Sequence, residues 1–155
     1  MLDVVTREIA VPTTPSATWA ALTDPALVAR WFGDRAEIDL RVGGAVCFHW
    51  PAGEVSRGVV VTLDAPRVFA FRWDVFGSIP DPTLYTEVEF RVTPSGDRSL
   101  VRVTERGLRG LAEAGIAPYL DDLVEEHVDG WRNEMSDLTA LLARSVTRSS
   151  QATTA

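Results

Sequence analysis

One change of rhythm limits what this chain can become. From Arg35 to Gly107 apolar residues recur at every second position, the period of a strand with one buried face. From Pro118 onward they recur every third or fourth position, at Leu120, Leu123, Val124, Val128, Trp131, Met135, Leu138, Leu141 and Leu142. That is a helical stripe sustained over about seven turns. Many short strands followed by one long amphipathic helix describe an α+β chain, with the helix covering the sheet's apolar face.

The period-two region divides at its turn signals. "AEIDLRV", "AVCFHW", "EVSRGVVVTL", "RVFAFRWDV", "TEVEFRV" and "SLVRVTER" read as six strands. They are separated by "GG" at 43–44, "PAG" at 51–53, "DAP" at 64–66 and "PSGD" at 94–97. "FGSIPDPT" at 76–83 reads as a loop. Upstream, "DVVTREIAV" at 3–11 is a further strand, giving about seven. Two short helices follow. Thr14 and Asp24 stand as N-caps, Pro15 and Pro25 occupy first helical positions, and Gly33 is placed to end the second helix in a left-handed conformation. Residues 1–146 form one domain, and the polar segment 147–155 reads as a disordered tail.

Alternation assigns the strand faces. Phe69, Phe71, Trp73 and Val75 share the inward face, as do Val88, Phe90 and Val92, and Val101 and Val103. The same rule turns Glu105 inward. In "AVCFHW" the bulkier set, Val46, Phe48 and Trp50, is taken inward, which leaves His49 outward or at a rim. On the long helix, His127 lies beside the buried stripe between Val124 and Trp131. Gly130 costs about 1 kcal/mol of helicity relative to Ala and is read as a tight packing point.

Charge excludes some partners. Across 155 residues the net charge is −7. Nucleic-acid affinity comes largely from Lys and Arg on phosphates, so no nucleic-acid partner is expected, and no membrane insertion either. A lone cysteine, Cys47, permits no intramolecular disulfide and reads as a small buried hydrophobe. His49, His127 and Glu105 belong to three separate elements without ligand spacing, so no metal site and no cofactor are expected. The expected compartment is the cytoplasm, and a homodimer stays open.

Five stretches carry a resemblance. They are "TWAALTDPALVARWFG" at 18–33, "GG" at 43–44, "RGVVVTLDAPRVFAFRW" at 57–73, "TEVEFRVTPSGDRSLVRVTERG" at 86–107 and "HVDGWRNEMSDLTALL" at 127–142. In this order they resemble the SRPBCC or START-like superfamily, the birch-pollen-allergen fold. Within it they look most like the family named for the activator of the ninety-kilodalton heat-shock protein's ATPase. The resemblance implies a helix-grip fold, with a curved antiparallel sheet wrapped around the C-terminal helix and a hydrophobic cavity between them.

Three functions follow as expectations. The first is binding of a small apolar or aromatic molecule in that cavity. Its walls would be Phe69, Phe71, Trp73, Val88, Phe90, Val103, Val124 and Trp131, with His127 and Glu105 as polar contacts. Segments 76–83 and 108–117 would gate the entrance. The second is a polyketide cyclase or aromatase, with His127 or Glu105 (its pKa raised by burial) moving a proton. The third is a co-chaperone-like interaction module, which needs an exposed apolar patch on the outer sheet face.

Overall fold

The computed structural model describes residues 4–74, 84–115 and 120–153, with side chains described as far as 144. Seven strands form one antiparallel sheet: β1 (Val4–Val11), β2 (Arg35–Ile38), β3 (Ala45–His49), β4 (Val55–Asp64), β5 (Val68–Trp73), β6 (Thr86–Ser95) and β7 (Arg98–Arg106). Their order is β1-β7-β6-β5-β4-β3-β2. The strands from β2 to β7 thus form an uninterrupted meander, and β1 closes the far edge by pairing with β7.

Two short helices, α1 (Pro15–Thr23) and α2 (Pro25–Val28), lead from β1 to β2. Both caps act as expected. Thr14 accepts from the Ala17 amide at 3.2 Å, and Asp24 accepts from the Ala26 amide at 3.0 Å. Helix α2 ends at Val28, short of the Gly33 expected to end it, and hydrogen-bonded turns carry the chain on to that glycine. Gly33 has φ +75°, and a Cβ there would stand 2.5 Å from the His49 carbonyl oxygen. Only glycine allows that approach, which seats the preceding Phe32 against the sheet. Strand β2 stops at Ile38, because the segment "DLRV" turns back on itself through the Arg41 amide and the Asp39 carbonyl.

After β7, α3 (Leu108–Glu113) buries Leu108 and Leu111, and α4 (Leu120–Thr153) crosses the inner face of the curved sheet. The α4 backbone runs to Thr153, into the segment read as a tail from Thr147. Val75, the loop at 76–83, Pro118 and the end of the 108–117 gate lie outside the described residues. The core lies between sheet and helix. Val88, Val101, Val103, Met135 and Leu138 are fully buried there, and Phe69, Phe71 and Phe90 are nearly so. Among the described residues no helix is long and apolar enough to cross a membrane.

Candidate functional site

The apolar filling is incomplete at one end of the sheet, where β5 and β7 finish and β6 begins. A cavity of about 250 Å³ opens there under the first half of α4. Helical spacing brings His127, Gly130, Trp131 and Glu134 of α4 onto its upper side. Trp73 ends β5, Trp50 follows β3, and Phe32 reaches in from the turn after α2. The four rings form a continuous aromatic wall. Phe32 stacks on Trp131 at 5.6 Å and 7°, and on Trp73 at 5.6 Å and 24°. Trp50 meets Phe32 edge-on at 4.9 Å.

Behind this wall lies a carboxylate with no exposure at all, Glu105. Its Oε1 accepts from Trp131 Nε1 at 2.9 Å and pairs with His127 Nδ1 at 2.6 Å. Its Oε2 accepts from Thr86 Oγ1 at 2.6 Å and from Trp73 Nε1 at 3.3 Å. Trp73 Nε1 also donates to Thr86 Oγ1 at 2.8 Å. An ionised carboxylate only accepts, so His127 must carry its proton on Nδ1.

Electrostatics in this cluster favour the ion pair. Burial alone would raise the Glu105 pKa. The bond and charge of His127, with the Thr86 and Trp131 donors, outweigh burial and hold the group below its ordinary value. Burial likewise pulls His127 down, but the bond to Glu105, its charge and that of Glu126 leave the imidazole above its ordinary value. Glu134, on the same face of α4, has no charged partner among the described residues to offset its burial. That burial, with the nearby Asp137 charge, pushes its pKa up to about 7.

Several expected site residues meet here and others do not. Trp73, Glu105, His127 and Trp131 line the cavity. Phe69, Phe71, Val88, Phe90 and Val103 lie deeper, fully packed in the core. Val124 is half-buried against that core and is not part of the wall. Phe32, Glu126 and Glu134 went unassigned to the site in the sequence, although Glu134 follows His127 by seven residues, two helical turns, and so shares its face.

Three readings need correction. Gly130 is not a packing point, because a Cβ there would meet nothing within 4 Å. It leaves space at the cavity mouth. The Glu105 pKa is lowered rather than raised, because four donors surround the fully buried carboxylate. Cys47 is half-buried on the outer sheet face rather than buried. His49 stands on that outer face too, beside Cys47 and away from His127 and Glu105.

Comparison with known proteins agrees with this architecture. The family model described as "Activator of Hsp90 ATPase homolog 1-like protein" matches residues 12–143. A search of curated proteins found no match. Among solved structures, protein MLL2253 from Mesorhizobium loti superposes with a TM-score of 0.75 at 22% identity, covering 91% of this chain and 97% of that one. DynU16, from the dynemicin biosynthetic locus, gives 0.75 at 21% identity, covering 92% of this chain and 48% of that one. The Aha1 dimer from Colwellia psychrerythraea gives 0.73 at 18% identity, covering 92% and 96%.

Proposed function

The chain belongs to the activator of Hsp90 ATPase homolog 1-like family, and from that premise we propose that it binds a small apolar or aromatic molecule in the cavity beneath α4. The observation that carries this reading is an aromatic-walled space of about 250 Å³ backed by one buried ion pair. A cavity of roughly 150 Å³ accommodates benzene, so this one suits a molecule of one or two rings. Trp50, Trp73, Trp131 and Phe32 supply flat apolar contact. His127 is fixed through Nδ1, and its other ring nitrogen has no partner among the described residues. That nitrogen suits a carbonyl or phenolic oxygen of the ligand.

The cluster gives limited support to a reaction. Glu105, fully hydrogen-bonded with a lowered pKa, is a poor general base. His127, with a raised pKa, is better suited to donating a proton, so an enzyme of the cyclase type would use it as general acid. The interaction-module reading has less behind it. The outer sheet face carries Arg72, Glu87, Glu89, Arg91 and Arg102 in ion pairs rather than an apolar patch. The solved Aha1 dimer supports the homodimer expectation, which sedimentation would test. A cytoplasmic location stays within the proposal, on the lone cysteine.

Gly130→Leu tests the cavity directly, because the new side chain enters open space and fills the mouth. Tryptophan fluorescence should report saturable binding of 2-naphthol to the parent chain. The variant should bind at least about tenfold more weakly, a loss of about 1.4 kcal/mol, while remaining folded. Equal affinity in the two proteins would place the binding elsewhere.

A further inference from the structure

A second cluster of reactive side chains lies on the opposite side of the sheet from the cavity. Val46 and Phe48 of β3 point inward, so Cys47 and His49 share the outer face. Glu37 of β2 stands directly across the ladder from Cys47. One oxygen of Glu37, the Cys47 sulfur and a ring nitrogen of His49 all lie within 4.8 Å of one another. Cys47 Sγ and His49 Nε2 are 3.5 Å apart.

We propose that Glu37, Cys47 and His49 bind a divalent transition-metal ion of the zinc class, independently of the cavity. The distances suit such an ion. Zinc takes thiolate at about 2.3 Å and imidazole at about 2.0–2.1 Å, so a tetrahedral site has an S–N edge of about 3.5 Å. The Cys47–His49 separation is already that edge, and the carboxylate, within 4.8 Å of both, needs to close by no more than about 1.5 Å. Two strand neighbours on one face and a directly opposed cross-strand residue bring three ligands together on a paired backbone. A fourth position is left for water.

The donor set selects the metal. Thiolate and imidazole suit zinc, cobalt and cadmium, whereas magnesium and calcium prefer oxygen alone. Thiolate and carboxylate together balance the ion's two charges. Burial and the charge of Glu37 raise the Cys47 pKa, against the opposing pull of Arg57 and Arg35, so the ion must displace the thiol proton.

Two arginines compete with the ion. Arg35 holds Glu37 Oε1 at 2.7 Å, but that pair is solvent-exposed and leaves the second oxygen free of it. Arg57 faces Cys47 across β3–β4 on an exposed surface where solvent screens its charge. Both lower affinity without blocking the geometry. Because β2 is the four-residue edge strand of the sheet, a bound ion would fasten it to β3.

Cobalt titration of the full chain tests this. The chain has one cysteine and two histidines, so a thiolate-to-cobalt charge-transfer band can come only from Cys47. The expected result is one equivalent of tetrahedral cobalt with that band. Cys47→Ala should abolish the band, and His49→Ala and Glu37→Gln should each weaken cobalt binding at least about tenfold. Zinc should raise the thermal midpoint of the parent chain and not that of Cys47→Ala. Absence of the band at millimolar cobalt in the parent chain overturns the proposal without any variant. So does a band that persists with unchanged affinity in His49→Ala, which would leave only a thiol that binds cobalt by itself.

Discussion

Glu105 has no contact with water, so its charge depends on the four donors that three separate elements supply. Its partner His127 is only 9% exposed. The two groups, together with Glu134, give the fold a definite pH profile. Glu105, held below its ordinary 4.5, contributes stability that is present above that value and lost as pH falls through its lower folded value. His127, held above 6.5, contributes stability that is complete below 6.5 and lost as pH rises through its higher folded value. Glu134 works in the other sense from Glu105. It stays neutral in the fold up to about 7 while the unfolded chain ionises from 4.5, so stability falls across that window. The thermal midpoint should therefore be highest near pH 5 and decline toward pH 8. Glu134→Gln should flatten the decline between about 5 and 7 and leave the part above it, which belongs to His127. A midpoint that is flat or rises from pH 5 to 8 would contradict these assignments. Strand alternation alone placed Glu105 inward, so this much was legible in the sequence. Its donors were not, because Thr86, Trp73 and Trp131 meet it only once β5, β6, β7 and α4 are packed.

Helix α4 shows where element-level reading works and where it stops. The apolar stripe through Met135, Leu138, Leu141 and Leu142 fixes the buried face, and all four are buried. Gly130 lies off that stripe, and sequence alone cannot say whether a glycine admits a neighbour or leaves a gap. Here it leaves a gap, and the helix accepts the propensity cost. Gly130→Ala should therefore stabilise the protein by about 0.5–1 kcal/mol. For a chain of this length that corresponds to roughly 1–4 °C in thermal midpoint. Destabilisation would mean that something packs against the glycine after all. The short elements were legible for a different reason. Thr14-Pro15 and Asp24-Pro25 are local signals that tertiary packing had no cause to override, whereas Gly33 takes the left-handed conformation but lies beyond the end of α2.

At the scale of the whole molecule, the meander and its covering helix follow from the order of periods, since hairpin-linked strands pair with their neighbours. The cavity's position does not follow. Residues on one strand face look equivalent in sequence, yet Phe69 and Phe71 are packed solid while Trp73, next in the same alternation, borders open space. The difference arises at the sheet's end, where Phe32 and Trp50 arrive from loops to complete the wall. These walls give the most direct test of binding. The five tryptophans provide five indole N–H signals, and only those of Trp50, Trp73 and Trp131 belong to cavity residues. A panel of one- and two-ring aromatic compounds should be titrated while all five signals are followed by NMR. The expected result is saturable shifts of the Trp50, Trp73 and Trp131 indoles, with those of Trp19 and Trp31 nearly stationary. If no compound moves the three at millimolar concentration, or if all five move alike, the cavity beneath α4 is not a binding site.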